Sequence, residues 1–173
     1  MPLVTAAQYF RPDLIVYLCP LGCYLALSAG IFAHNHNHCP TFTSKRANGV
    51  FATTLSLFYG YPTFAWVPTH NLNHHKFVNR AGDATITWRH TNKHNWLVAA
   101  TYFFVSSYWQ SEPIKDYIRK ARTKNPKLYR SIVLQYVTWG GFGAALLLLS
   151  FALHGAPMGA VVWIAATGLP WFF

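Results

Sequence analysis

Six of the nine histidines in this 173-residue chain fall into two short tracts, His34-Asn35-His36-Asn37-His38 and His70-Asn71-Leu72-Asn73-His74-His75. Residues four apart share a helix face, so helical tracts would align His34 with His38 and His70 with His74. His75 would sit about 100° around the axis from His74, and that pair could serve two different metals. His36 points away from the His34/His38 face and is left out of the ligand set. Histidine is the commonest metal ligand, and an unpaired imidazole near a bilayer is expensive. Core packing is a poor explanation for six of them at the ends of apolar segments.

The acidic residues narrow the chemistry. A carboxylate-rich di-iron site needs inward glutamates with Glu-x-x-His motifs, and the chain has the single glutamate Glu112. A zinc peptidase of the HExxH type needs a glutamate base between its histidines, where asparagine and leucine stand here. An all-nitrogen site without a built-in base favours redox work over hydrolysis, and imidazole suits iron, copper or zinc. Asn35, Asn37, Asn71 and Asn73 are expected to hydrogen-bond the imidazoles. His90 and His94 form a further pair four apart, expected to be solvated or to support the ligands rather than to ligate. Cys19 and Cys23 read as packing thiols inside an apolar run.

Apolar residues make up 53% of the chain and charged residues only 10%, far below the roughly one quarter of a soluble domain. Residues 14–33 carry no charge and, at about 1.5 Å per residue, span roughly 30 Å, the thickness of a hydrocarbon core. Pro20 within them predicts a kink rather than a break. Residues 131–153 form a second span, and His154 at its far end, some 35 Å away at helical rise, cannot reach the tracts. A third run, 159–173, is still apolar at the last residue and too short to cross, so the expected helix is incomplete. Thirteen of the 14 basic residues lie between the first two spans, Arg11 being the exception. The positive-inside rule puts that interval in the cytoplasm. The basic stretch Lys115–Arg130, alternating with aromatic and aliphatic residues, fits an anionic lipid surface better than nucleic acid. Apolar residues 48–68 are expected to lie in the interface or re-enter, because one crossing would separate His38 from His70. No cleaved signal peptide is expected, since the first ten residues are not basic. The expected fold is all-α: one integral-membrane helical domain over 1–173 with a cytoplasmic histidine-rich cap.

HNHNH, followed 36 residues after its first histidine by HNLNHH, resembles the first two histidine boxes of the membrane fatty acid desaturase superfamily. The continuation HHKFVNRAGDATITWR is similar to that family's stretch after the second box. The resemblance implies two iron ions held by His34, His38, His70, His74 and His75, with O2 as co-substrate. It also implies an acyl-lipid substrate, and a double bond as product. A third box, usually HxxHH, completes the family's site; these residues contain none, which implies a chain truncated before it and inactive alone. Electrons would come from an external donor of cytochrome b5 or ferredoxin type, because no flavin, haem or iron–sulfur motif is present. The basic loops suit such an acidic carrier. Phe51, Leu55, Leu57, Phe58, Phe64 and Trp66 could line an acyl tunnel or simply contact lipid. Alternatives are a hydroxylase or ketolase of the same superfamily acting on an alkane, sterol or carotenoid, a catalytically incomplete fragment, and a metal-binding membrane protein.

Overall fold

The computed structural model describes residues 1–93 and 95–172. Every regular element among them is helical: α1 (Pro2–Phe10), α2 (Ile15–His38), α3 (Lys45–Tyr59), a π-helix (Val67–His74) running into α4 (His75–Phe77), α5 (Trp96–Lys124), α6 (Pro126–His154), α7 (Ala156–Trp163), a second π-helix (Ile164–Gly168) and α8 (Leu169–Phe172). Short 3-10 turns cover Pro12–Leu14 and Thr63–Ala65. Two stretches, Pro12–His38 and Pro126–His154, are long and apolar enough to cross a membrane. Both outrun the apolar windows read from sequence. α2 continues through Pro20 and past residue 33 to carry the whole first tract. α6 begins at Pro126, not Ser131, because Asn125 caps α5 and proline is favoured at a helix start. α1 and most of α5 were not anticipated.

The chain forms two compact units, one of Met1–Thr63 with the residues from Val133 onward, the other Phe64–Ile132. In the first, α2 turns a face of small residues inward: Gly22, Ala26, Ala29, Gly30 and Ala33 are its buried positions. Small residues let backbones approach, which substitutes for hydrophobic driving force within lipid. A Cβ on Gly30 would lie 3.0 Å from the Tyr59 ring. Tyr9, Val162 and Ala166 form the core, with Ile15 and Leu146 packed on it. His154 Nε2 meets the Tyr9 carbonyl at 2.7 Å, which ties α1 to the end of α6.

α3 starts at Ser44, whose hydroxyl accepts from the Ala47 amide, and stops at Gly60 in the left-handed region (φ 87°). Only glycine suits Gly60: besides its φ, a Cβ there would fall 2.5 Å from Trp171 Cβ. The chain then reverses. The Thr63 amide donates to Ser56 Oγ at 3.0 Å and the Thr63 hydroxyl to the Ala52 carbonyl at 2.9 Å. Ser56 and Thr63 are both buried, so these bonds satisfy polar groups that lipid would not.

In the second unit, the loop after α4 folds against the inner side of α5. The Tyr102 hydroxyl donates to the Thr85 carbonyl at 2.8 Å, and the Arg89 guanidinium lies 4.0 Å over the Trp109 ring. Asn95 caps α5 by accepting from the Val98 amide.

Candidate metal centre

The first tract is the last turn of α2, where regular geometry brings residues four apart together. His34 Nε2 and His38 Nε2 are 3.2 Å apart, with the rings edge to face at 82°. Nitrogens that close suit neighbouring ligands of one ion at bonds of about 2.1 Å, subtending roughly 100° at it. His36 takes a different job. Its Nε2 donates to the Asn48 carbonyl at 3.2 Å, while its Nδ1 accepts from the Thr41 amide at 3.2 Å. Both ring nitrogens are used to fasten the loop between α2 and α3.

The second tract is not α-helical. Val67–His74 is a π-helix with Pro68 in its first turn, and hydrogen bonds from i to i+5 place residues five apart above one another. His70 therefore meets His75 nitrogen to nitrogen, at 3.1 Å between their Nε2 atoms. His74 instead stacks flat beside His70, with centroids 5.2 Å apart and ring planes 16° apart. This corrects the α-helical expectation: His75 is not turned away from His70, because the wider helix moves it back onto that face. Trp66 closes the other side of His70, edge on at 5.2 Å.

His74 is oriented by a residue that the sequence reading passed over. Its Nδ1 lies 2.7 Å from Asp83 Oδ2. A carboxylate only accepts, so Nδ1 holds the proton and the lone pair falls to Nε2, the arrangement that orients metal-binding histidines. Asp83 is 1% exposed. It also accepts from the Asn79 amide at 2.7 Å, the Thr85 amide at 2.8 Å and the Thr85 hydroxyl at 2.8 Å. Burial pushes its carboxyl up, but the bonds from Thr85, Asn79 and His74 outweigh burial and hold it below the ordinary carboxylate range. The signal in the sequence was faint: one of only four acidic residues, eight positions after the second tract.

The loop is strained to make this contact. Val78 and Asn79 both have positive φ, 46° and 59°. Asparagine tolerates that region, but for a β-branched valine it is an outlier costing on the order of 1–3 kcal/mol. Asn79 offsets the strain with hydrogen bonds: its carbonyl accepts from Trp88 Nε1 at 2.8 Å and its side chain from the Thr87 amide at 2.9 Å.

The asparagines divide. Asn35 Oδ1 lies 3.4 Å from His34 Nδ1, and Asn37 Nδ2 donates to the Ala33 carbonyl at 2.7 Å. Asn73 braces the Asp83 loop instead, donating to the Gly82 carbonyl at 3.1 Å and accepting from the Ala84 amide at 2.7 Å. Asn71 sits half-buried in the π-helix, His90 is exposed in the loop beyond, and His94 lies outside the described residues.

Each tract thus presents a pair of imidazole nitrogens spaced for a shared ion, and the second adds a buried carboxylate that sets a tautomer. That donor set fits iron without a carboxylate ligand. No curated protein and no solved structure gave a match. The family model for fatty acid desaturases matches residues 12–173, nearly the whole chain. On that match and these histidines, the chain belongs to the fatty acid desaturase family, a membrane-bound group of generally di-iron proteins acting on lipids.

Proposed function

We propose that this chain carries most of the iron site of an O2-dependent desaturase that introduces a double bond into an acyl chain. His34, His38, His70, His74 and His75 are the proposed ligands of two irons. The observation that carries the reading is the pair of nitrogen-to-nitrogen contacts, 3.2 Å in the first tract and 3.1 Å in the second, within a chain of this family. A pair of irons held there supplies O2 activation and hydrogen abstraction from an unactivated C–H bond. Overall, two substrate hydrogens, two protons and two electrons reduce O2 to two waters, and the electrons come from an external carrier. The protein's own part is placement. Asp83 keeps a proton on His74 Nδ1, so that Nε2 presents its lone pair. His36 holds the loop that sets α3, whose apolar residues Phe51, Leu55, Leu57 and Phe58 are suited to guide a hydrocarbon chain.

Five imidazoles cannot fill two irons that each take four or five nitrogens, so further histidines must complete the site. Acyl profiles of cells expressing these 173 residues, with a suitable reductase, are expected to show no new double bonds. A form extended to carry an HxxHH cluster is expected to produce them, and to lose them on His70→Ala. New double bonds from the short form would sink the two-iron account. Hydroxylated chains from the long form would move the reading to the hydroxylases of the same superfamily.

The site is proposed to face the cytoplasm, with 48–68 re-entering rather than crossing. The reversal at Gly60 and the bonds from Thr63 back to Ala52 and Ser56 support that. Single cysteines from Lys45→Cys and Lys76→Cys should react with an impermeant maleimide from the same side; labelling from opposite sides would refute it.

A further inference from the structure

α5 has an outward face whose chemistry changes along its length. From Trp96 to Ser111 there is no charged residue, whereas Lys115, Arg119, Lys120, Arg122 and Lys124 follow before the helix ends. In the first half, Trp96, Phe104 and Tyr108 are 79%, 62% and 73% exposed. The inner side is already occupied: Ser106 and Ala121 are buried, and Tyr102 and Trp109 hold the Asp83 loop. An exposed aromatic row of this extent is not stable against water and marks a contact surface.

We propose that α5 is a membrane-surface element, its aromatic half sunk into the lipid and its basic half seated on anionic phospholipid headgroups. Connectivity argues for lipid as the occupant. α6, one of the two span-length helices, begins at Pro126, two residues after α5 ends at Lys124. The basic end of α5 is therefore held where a membrane span starts, at headgroup level. Charge argues for the anionic class, since Asp116 pairs with Arg119 and Lys120, and Lys115, Arg122 and Lys124 add positive charge beyond that pairing. Tryptophan and tyrosine favour the interface, where an apolar ring and a polar tip are both satisfied. The aromatic half is about 24 Å long at helical rise, short of a roughly 30 Å core, so it lies in the bilayer surface without crossing. This surface does not depend on the chain's binding iron.

Nitroxide labels at Phe104→Cys, Tyr108→Cys and Lys120→Cys test it, in the full chain with Cys19, Cys23 and Cys39 changed to serine. The carrier is a nanodisc of phosphatidylcholine alone or with phosphatidylglycerol. Labels at 104 and 108 should collide several-fold more with lipid-dissolved O2, relative to a water-soluble nickel chelate, than the label at 120. The contrast should deepen with phosphatidylglycerol and fall back when Lys115, Arg122 and Lys124 become glutamine. Equal nickel access at 104 and 120 in both lipids would overturn the proposal. So would a contrast indifferent to lipid charge, or dipolar broadening at 104 that shows a second copy covering the face.

Discussion

The two histidine tracts reach the same nitrogen-to-nitrogen spacing by different backbones. The first is the regular end of α2, and its partners are four residues apart. The second is a π-helix, and its partners are five apart. What differs is the support. Around the first tract, His36 fastens a loop through two backbone groups, in the ordinary manner of a helix end. Around the second, a strained turn carries a buried carboxylate to His74, and four hydrogen bonds converge on that carboxylate. A regular helix needs little help to present two imidazoles. A π-helix is a rare, locally widened backbone and a weaker scaffold than a regular helix, and the surrounding structure has to hold it.

The largest expected effect tests whether the tracts serve one centre. His34→Ala with His38→Ala, or His70→Ala with His75→Ala, should each reduce bound iron in the purified longer form to near background. If either double variant keeps about half the metal by elemental analysis, the tracts bind separately, and the shared centre is wrong.

Asp83→Asn should come next, and it should break only the second tract. A carboxylate with charge-assisted bonds gives way to an amide whose NH2 faces donors, which costs about 3 kcal/mol. Hydrogen exchange should quicken at the Asn79 and Thr85 amides and stay unchanged across 34–38. The pH dependence has a definite sign. With its folded-state pKa lowered, Asp83 contributes its full stability above about pH 4, the ordinary carboxylate value, and the contribution is lost as pH falls through the depressed one. Acid should therefore loosen the loop of the metal-free protein, and Asp83→Asn should abolish that response. Equal acid sensitivity in both forms would mean another group is responsible.

His36→Gln should cost less, about 1 kcal/mol for hydrogen bonds partly replaced by the amide, and should leave iron content intact. Loss of iron there would put His36 among the ligands. The smallest effect is expected from deleting Leu72, which is exposed in the π-helix. Removing one residue converts the i to i+5 pairing of His70 and His75 into i to i+4, the spacing an α-helix aligns. Iron should be retained. If it is lost, the π-helix does more than set that register.

Much of this was legible in the residues. Long uncharged runs imply helices whatever they pack against, because a backbone in lipid must bond to itself. The first tract followed from periodicity alone, since α2 keeps the regular repeat from Ile15 to His38. The exclusion of glutamate-based sites followed from counting one glutamate. α1 and the length of α5 were harder to read. α1 is short and of mixed polarity, and α5 joins an apolar half to a basic half, so neither shows one continuous pattern.

The sequence by itself determined which residues could take a metal, that their donors are nitrogen, and that helices present them. Gly60 before Tyr61-Pro62 also offers a place to bend, and the structure turns there. Only the tertiary structure decided that His75, not His74, faces His70, and that Asp83 holds His74. Local spacing assumes one helical repeat, and the choice between i+4 and i+5 depends on what the turn can bond to next. Here His74 bonds to Asp83, and Asn73 to the backbone of Gly82 and Ala84, across a loop, and no period in the sequence encodes a contact made by a chain folding back on itself.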